Sequence, residues 1–168
     1  MTRSEPRRVL LFGNSGAGKS TLARRLHQTE GLAHLDLDTL AWLDCSPPER
    51  RRVEDSQSDI DDFVRVNSAW VIEGCYADLL ALAAPLATEL IWLNPDTETC
   101  VGHALARPWE PHKYASKAAQ DANLPMLIDW IRAYDTREDE FSRKTHAALF
   151  EGFSGAKREL TQAETYAE

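Results

Sequence analysis

The sequence has few cysteines and lacks any long apolar run. Cys45, Cys75 and Cys100 are widely spaced and odd in number, which disfavours a disulfide set or a cysteine metal site and is typical of a reducing compartment. No apolar run approaches the roughly 20 residues that a membrane span needs. The first residues lead into a strand-like run without the apolar core of a signal peptide. We therefore expect a cytoplasmic protein with no membrane partner.

Positive charge is also scarce. The 19 lysines and arginines are outnumbered by 27 aspartates and glutamates, so the net charge is −8. Broad nucleic-acid binding needs a basic surface to neutralise phosphates, and a nucleic-acid partner is therefore not expected. The basic run at residues 50–52 is followed at once by acidic residues, which favours a solvated charged face. The length of 168 residues predicts one domain over residues 1–168.

What the sequence does contain is GNSGAGKS at residues 13–20, which fits the phosphate-loop pattern of two glycines, then Lys and Ser. A strand-like apolar run precedes it, and residues 21–27 have helical spacing. In such a loop, backbone N–H groups wrap a phosphate at the positive end of the following helix. Lys19 is predicted to neutralise the β- and γ-phosphates, and Ser20 to bind Mg²⁺. The predicted nucleotide-binding residues are Gly13, Asn14, Ser15, Gly16, Ala17, Gly18, Lys19, Ser20 and Thr21.

Carboxylates end two further predicted strands. A strand over residues 32–38 ends in Asp36 and Asp38, and a strand over residues 70–74 ends in Glu73 and a glycine. Parallel α/β sheets present the carboxyl ends of their strands to the ligand crevice, where the phosphate loop also lies. Alternation predicts that Asp36 and Asp38 share one side of their strand, one serving Mg²⁺ through water and the other an acceptor hydroxyl. Glu73 is placed for a general base or for a ligand of metal-bound water.

Each of these carboxylates also has a structural interpretation. Asp36 and Asp38 could cap the helix that follows them, with Asp38 next to its start. Glu73 could pair with a surface arginine at the end of its strand. The two interpretations of the aspartates do not exclude each other, because a capping carboxylate keeps an oxygen free.

The rest of the chain predicts alternating strands and helices. We expect helices over residues 59–66, 76–84 and 96–107, a strand over residues 89–95, and a short last strand at residues 156–160. Residues 116–150 are helical in pattern, with breaks at residues 123–125 and near Thr136. This alternation is typical of an α/β three-layer sandwich with a mostly parallel five-stranded sheet.

Residues 107–114 interrupt the alternation. Two prolines, two aromatic residues and the side chains of Arg107, His112 and Lys113 stand close together, which indicates an ordered loop between helices. Loops of this kind close over phosphates, so we predict a lid-like insertion at about residues 107–117. For Arg107, and for Arg137 further on, surface ion pairs with nearby acidic residues are the alternative to a catalytic role.

These motifs resemble the adenylate kinase and shikimate kinase group of phosphate-loop kinases over most of the chain. The stretch Asp36-Leu37-Asp38 is similar to the Asp-x-Asp of shikimate kinases, whose first Asp serves Mg²⁺ and whose second serves the acceptor. Residues 136–139 resemble the segment after the adenylate kinase lid, whose arginine, here Arg137, contacts the transferring phosphates. Residues 107–114 and 139–142 look like a bacterial subgroup of small kinase-like ATPases, some called topology modulation proteins.

The resemblance implies a P-loop NTPase fold of the nucleoside-monophosphate-kinase type, a kinase activity with ATP and Mg²⁺, and a turn at residues 152–157 beside the adenine. The residues that would carry the chemistry are Lys19, Asp38, Arg107 and Arg137 for catalysis, and Ser20, Asp36 and Glu73 for the metal. The acceptor motifs of both parent families are absent after the third strand, so the acceptor is expected to be an unidentified small molecule with a reacting hydroxyl or phosphate.

A protein of another class could carry the same loop. A nucleotide-dependent regulatory ATPase that acts on a macromolecular partner needs the phosphate loop but no acceptor pocket. A simple ATPase is a weaker alternative, because the sequence shows no obvious glutamine to position water.

Overall fold

The computed structural model describes residues 4–162, and within them the chain forms five β-strands and six α-helices. The predicted domain span, 1–168, reaches beyond the described residues at both ends. The strands are β1 (Arg8–Gly13), β2 (Ala33–Asp36), β3 (Trp70–Gly74), β4 (Glu89–Leu93) and β5 (Ala156–Leu160). The helices are α1 (Lys19–Glu30), α2 (Val53–Val66), α3 (Ala77–Ala83), α4 (Thr97–Ala106), α5 (Lys117–Arg132) and α6 (Arg143–Gly152).

The strands of the described chain form one sheet in the order β2-β3-β1-β4-β5, and every neighbouring pair is parallel. Parallel neighbours require crossovers, and helices between the strands supply them. The carboxyl ends of β1, β2 and β3 therefore meet at one edge of the sheet, where Asp36 is paired in register with Glu73. The predicted α/β three-layer sandwich with a five-stranded parallel sheet is confirmed.

Two apolar clusters cover the two faces of the sheet. Successive side chains of a strand point to opposite faces, so Val9 and Leu11 of β1 pack in the cluster that includes residues of α1, α4 and α5. Leu10 and Phe12 pack in the other cluster, with residues of α2, α3 and α6. All four side chains are fully buried. The strand that leads into the glycine-rich loop is therefore held from both sides.

Helix α5 is continuous, so the predicted break at residues 123–125 is wrong. It begins after Ser116, whose hydroxyl accepts a hydrogen bond from the Ala119 amide at 3.0 Å, and it contains Pro125 in its interior. Proline removes one helical hydrogen bond. Pro125 lies on the exposed face, while residues 124, 127, 128 and 131 pack on the core and hold the helix together across the gap. The break predicted near Thr136 is present, since the helical run stops before α6 begins.

Helix α2 begins earlier than the pattern predicted, at Val53 instead of residue 59. A polar residue, Ser56, occupies a buried position in the first turns of α2 and interrupts the apolar pattern there. Its burial is tolerated because its hydroxyl donates a hydrogen bond to the Leu40 carbonyl at 2.9 Å. Glu54 and Asp55 in the first turn suit the positive end of the helix dipole. Among the described residues, no helix combines the length and the apolar character needed to cross a bilayer.

A buried polar chain lies beneath the carboxyl end of β3. His146 of α6 is fully buried, with Nε2 at 2.7 Å from the Cys75 carbonyl oxygen and Nδ1 at 2.6 Å from the Tyr134 hydroxyl. A carbonyl only accepts, so Nε2 carries the proton and Nδ1 accepts from Tyr134. The Trp92 indole N–H donates in turn to the Tyr134 oxygen at 3.2 Å. Burial lowers the pKa of His146 to about 4, so the ring is neutral near pH 7.

This neutral histidine makes stability depend on pH. In the unfolded chain His146 becomes protonated below its ordinary pKa of 6.5, whereas in the folded chain it becomes protonated only below about pH 4. We expect the free energy of unfolding to fall by about 3 kcal/mol across this window, with most of the loss absent in His146→Gln. Denaturant unfolding at several pH values measures the slope, and the exposed His112→Gln is the matched control. An unchanged slope in His146→Gln would assign the effect to other groups.

Candidate functional site

The glycine-rich loop connects β1 to α1 and rests on α4. Gly16 has a φ of +79°, and a Cβ there would lie 2.5 Å from the Cys100 carbonyl oxygen of α4. Gly18, next to the start of α1, has a φ of +97°. A side chain at position 16 would therefore meet both a backbone clash and an unfavourable backbone conformation. Glycine is required there because the loop turns back against a helix backbone.

Contacts from two helices hold the loop in shape. The Asn14 side chain is buried and donates to the Ile131 carbonyl of α5 at 3.1 Å. Nδ1 of His103, on α4, lies 2.7 Å from the Gly16 carbonyl oxygen. Lys19 Nζ donates to the Asn14 carbonyl oxygen at 2.7 Å, across the loop. The motif predicted the loop itself, but not the contacts with Ile131 and His103, which are more than 80 positions away.

The structure brings the three predicted metal ligands to the same edge of the sheet. Ser20 Oγ donates to Glu73 Oε1 at 2.8 Å, and Asp36 is the register partner of Glu73 on the adjacent strand. His34 Nε2 lies 3.2 Å from the same Glu73 oxygen, so the partners of this buried carboxylate are a serine and a histidine instead of an arginine. Burial, and then the charges of Glu73 and Asp38, raise the pKa of Asp36 to about 6.

This donor set fits Mg²⁺, which prefers oxygen ligands and takes several of them from water and from substrate phosphates. A hydroxyl and two carboxylates converge, and the repulsion that contributes to the raised pKa of Asp36 would be relieved by a bound cation. In the described part of the chain, no group of three or more His, Cys, Asp or Glu side chains could hold a metal ion. A magnesium ion here would therefore take its remaining ligands from a nucleotide and water.

Asp38 lies outside the strand, which corrects the prediction that it shares a strand face with Asp36. Strand β2 ends at Asp36, and Asp38 lies in a 3₁₀ turn, Leu37–Thr39. The Asp36 side chain accepts from the Asp38 amide at 2.9 Å, so Asp36 is the capping residue of this turn. The turn moves the Asp38 carboxylate away from β2 and against Tyr76, whose hydroxyl donates to Oδ1.

Two contacts of Asp38 were not predicted from the sequence. Tyr76 follows the end of β3, and Lys113 Nζ approaches Asp38 Oδ2 at 3.7 Å from the segment between α4 and α5. The position of Tyr76 could have been predicted, because the carboxyl ends of parallel strands, and the residues just after them, face the ligand crevice. No pattern in the sequence paired Lys113 with Asp38, since the two are far apart along the chain.

The segment at residues 107–116 is held by hydrogen bonds to a side chain of α5. Gln120 accepts from the Glu110 amide at 2.8 Å and donates to the Pro108 carbonyl at 3.0 Å. Oε2 of Glu110 lies 3.9 Å from Arg107 Nη1 and 3.8 Å from Lys113 Nζ, so one carboxylate faces two cations. These distances exceed those of hydrogen bonds, which leaves the donors of both cations available to a ligand.

The two predicted catalytic arginines are in different places. Arg107 follows α4 and lines the cavity described below. Arg137 pairs with Asp139 at 2.7 Å, and its guanidinium carbon lies 3.4 Å from the centre of the Trp130 ring. Its side chain is 16% exposed and does not line that cavity. Arg137 thus makes the kind of ion pair that was the alternative to a catalytic role, and the catalytic role of either arginine stays a prediction.

One cavity of about 710 Å³ connects the loop to Asp38. Six residues from the predicted catalytic and metal sets line it: Lys19, Ser20, Asp36, Asp38, Glu73 and Arg107. Five aromatic residues also line it: Trp42, Tyr76, Trp109, Trp130 and Phe141. The size suits a small-molecule site, and cations, carboxylates and flat apolar rings all face the same space.

The family described as AAA domain matches residues 9–135, well over half of the chain. The protein belongs to this family. The matched residues include β1 from its second residue, β2 to β4, the glycine-rich loop and the segment at residues 107–116. Together with the fold, this match confirms the resemblance to the phosphate-loop kinase group that the sequence motifs indicated. A comparison with curated protein sequences found no match.

Two solved structures share the fold of this AAA domain protein. A sugar kinase from Janibacter sp. HTCC2649, in an unliganded structure, is 16% identical with a TM-score of 0.52, covering 96% of this chain and 90% of its own. A gluconokinase from Sinorhizobium meliloti 1021 is 14% identical with a TM-score of 0.51, covering 98% of this chain and 89% of its own. Identities this low show a common fold and no more.

The fold corrects one expectation taken from the kinase resemblance. The turn at residues 152–157 leads into β5, and β5 runs parallel to β4, with Ala156 opposite Glu89 and Leu160 opposite Leu93. The turn therefore lies at the amino-terminal edge of the sheet, whereas the glycine-rich loop of this AAA domain protein lies at the carboxyl-terminal edge. A nucleotide whose phosphates sit on the loop would have to extend along the length of the sheet to place its adenine beside that turn, so the fold does not support this expectation.

Proposed function

We propose that this protein is an ATP-dependent kinase that transfers the γ-phosphoryl group to a hydroxyl or phosphate of a small-molecule acceptor. The observation that carries the proposal is the shared cavity, which is lined both by the glycine-rich loop with Lys19 and by the Asp38–Tyr76 pair. Phosphoryl transfer needs a donor and an acceptor in line, held in one space that excludes bulk water. We also propose that residues 107–117 act as a lid within a single domain.

The residues around the loop have distinct roles in this proposal. Backbone N–H groups of residues 13–20 and the ammonium of Lys19 bind the β- and γ-phosphates. Ser20, with Asp36 and Glu73 acting through water, would hold Mg²⁺, which when bound neutralises charge on the phosphates. Arg107, which also lines the cavity, stabilises the charge that spreads over the transferring group.

Asp38 acts on the acceptor side. The acceptor oxygen forms a bond to the γ-phosphorus while the bond from that phosphorus to the bridging oxygen of ADP breaks. When the acceptor is a hydroxyl, its proton passes to the Asp38 carboxylate, and ADP leaves with the former bridging oxygen. A carboxylate near the reacting oxygen also orients it for in-line attack, which is the larger requirement of this chemistry.

Two further observations support the kinase class. The structural neighbours are, by their titles, a sugar kinase and a gluconokinase. In addition, Asp38 and five aromatic side chains line the cavity beyond the loop, a feature that a nucleotide switch with a macromolecular partner does not need. The identity of the acceptor rests on neither observation.

An acceptor screen tests the proposal. Mg²⁺-dependent ADP production is measured against sugars, sugar acids, nucleosides, nucleoside monophosphates and shikimate, with Lys19→Ala as the blank. We expect one acceptor class to stimulate turnover, and we expect Lys19→Ala to abolish the stimulation because the loop then lacks its charge. Tight ATP binding with slow turnover that no acceptor stimulates would overturn the kinase assignment and favour a nucleotide-dependent regulator.

A further inference from the structure

The two oxygens of the Asp38 carboxylate have different surroundings. Oδ1 accepts a hydrogen bond from the Tyr76 hydroxyl, and the indole Nε1 of Trp42 donates to that hydroxyl oxygen at 2.8 Å. An indole N–H can only donate, so the Tyr76 oxygen accepts from Trp42 and directs its own proton to Asp38. The indole of Trp42 therefore determines the donor-to-acceptor direction of both hydrogen bonds, from Trp42 to Tyr76 and from Tyr76 to Asp38.

The surroundings of Tyr76 keep its phenol protonated and its ring in a fixed position. Its side chain is 3% exposed, and burial raises its pKa, so the phenol stays protonated and remains a donor. The ring makes edge-to-face contacts with Phe141 at 5.3 Å and with Trp42 at 6.2 Å between ring centres. The guanidinium of Arg50 lies 4.8 Å from the centre of the ring.

Arg50 contacts several of the segments that surround the hydrogen-bonded residues Trp42, Tyr76 and Asp38. Its guanidinium pairs with Asp78 of α3 at 3.1 Å and with Glu140, before α6, at 3.0 Å. Its Nε also donates to the Ala41 carbonyl at 3.2 Å, next to Trp42. Arg50 therefore connects helix α3, the loop after β2 and the segment before α6.

The second oxygen of Asp38 remains open to a ligand. Lys113 Nζ lies 3.7 Å from Oδ2, which is attraction by charge at a distance beyond a normal hydrogen bond. Oδ2 can therefore still accept from a hydroxyl that enters the cavity, while Oδ1 stays bound to Tyr76.

We propose that Tyr76 is a positioning residue for phosphoryl transfer, which anchors Oδ1 of Asp38 so that Oδ2 receives the acceptor hydroxyl. This inference rests on the proposed function and assigns a role to a residue that neither the motifs nor the family match singles out. In this role Tyr76 makes no contact with a reacting atom. Its effect on the reaction passes through Asp38, and that dependence is what an experiment can measure.

The test uses Tyr76→Phe, which removes the hydroxyl and keeps the ring. With the acceptor found by the screen, we expect kcat to fall about 10-fold, with the KM for ATP within about 2-fold of wild type. Tyr134→Phe is the matched control, because Tyr134 is a second buried tyrosine whose oxygen accepts from an indole N–H, and it does not line the cavity. We expect its kcat to stay within about 2-fold, whatever its loss of stability.

A double-mutant cycle separates positioning from a structural role. In an Asp38→Asn background, where the carboxylate is already lost, we expect Tyr76→Phe to lower the residual kcat by less than about 2-fold. A further 10-fold loss in that background would show that Tyr76 acts independently of Asp38 and would overturn the inference. Should Tyr76→Phe not fold, Trp42→Phe, which removes the donor to Tyr76, enters the same cycle with the same two outcomes.

The outcomes for the two proposals are distinct. If wild type turns over with an acceptor and Asp38→Asn does not, while Tyr76→Phe keeps wild-type kcat, the positioning role is wrong and the kinase stands. If no acceptor stimulates wild type, the kinase assignment fails, and the positioning role fails with it because no acceptor hydroxyl exists for Asp38 to bind.

Discussion

Asp38→Asn is expected to lower acceptor-dependent turnover by about 10²- to 10⁴-fold, the range for loss of a general base. The amide has the size and shape of the carboxylate, but it cannot take the proton from the acceptor hydroxyl. Steady-state ADP production, with acceptor and ATP varied separately, measures the loss. The KM for ATP should change little, because in the proposed mechanism the phosphates bind to the glycine-rich loop and Lys19 and not to Asp38.

Asp44→Asn is the matched control for this substitution. Asp44 is an exposed aspartate of the same loop region, and it does not line the cavity. Its replacement should leave turnover within about 2-fold of wild type, since surface changes away from a site have small effects. Full activity in Asp38→Asn would remove the acceptor residue from the mechanism, and transfer to a phosphate acceptor, which needs no base, would then be the better interpretation.

Arg107→Ala is expected to lower kcat by about 10²- to 10³-fold, while Arg137→Ala lowers it by less than about 10-fold. The reason is position. Arg107 lines the cavity, and its ion-pair partner among the described residues is the distant carboxylate of Glu110 at 3.9 Å. Arg137 is engaged by Asp139 and by the Trp130 ring, so its removal should reduce the free energy of unfolding by about 1–2 kcal/mol instead.

Measuring kcat and thermal unfolding for both variants side by side separates the two effects. Arg107→Lys serves as a further control, because it keeps the charge and loses the planar donors, and it should recover part of the activity. A large loss of kcat in Arg137→Ala with an unchanged melting temperature would place Arg137 at the transferring phosphates. It would also require the segment before α6 to move when substrates bind.

Local patterns predicted much of the fold, and their failures have physical causes. Apolar runs placed β1, β3 and β4, because a parallel strand that is buried on both faces is apolar along its length. The pattern missed the start of α2, where a buried serine is satisfied by a carbonyl, and it broke α5 at Pro125, where packing on the core outweighs the lost hydrogen bond. In both cases a tertiary contact overrides a local preference.

The sequence by itself determined the glycine-rich loop, the parallel sheet and the strand ends that carry Asp36 and Glu73. Each depends on short-range backbone geometry and hydrophobic periodicity, which a few neighbouring residues specify. Only the tertiary structure decided that Asp38 faces Tyr76 and Lys113, that Arg107 lines the cavity and Arg137 does not, and that the turn at residues 152–157 lies at the far edge of the sheet. These outcomes depend on contacts between residues distant in the chain, whose geometry is set by how the helices pack on the sheet.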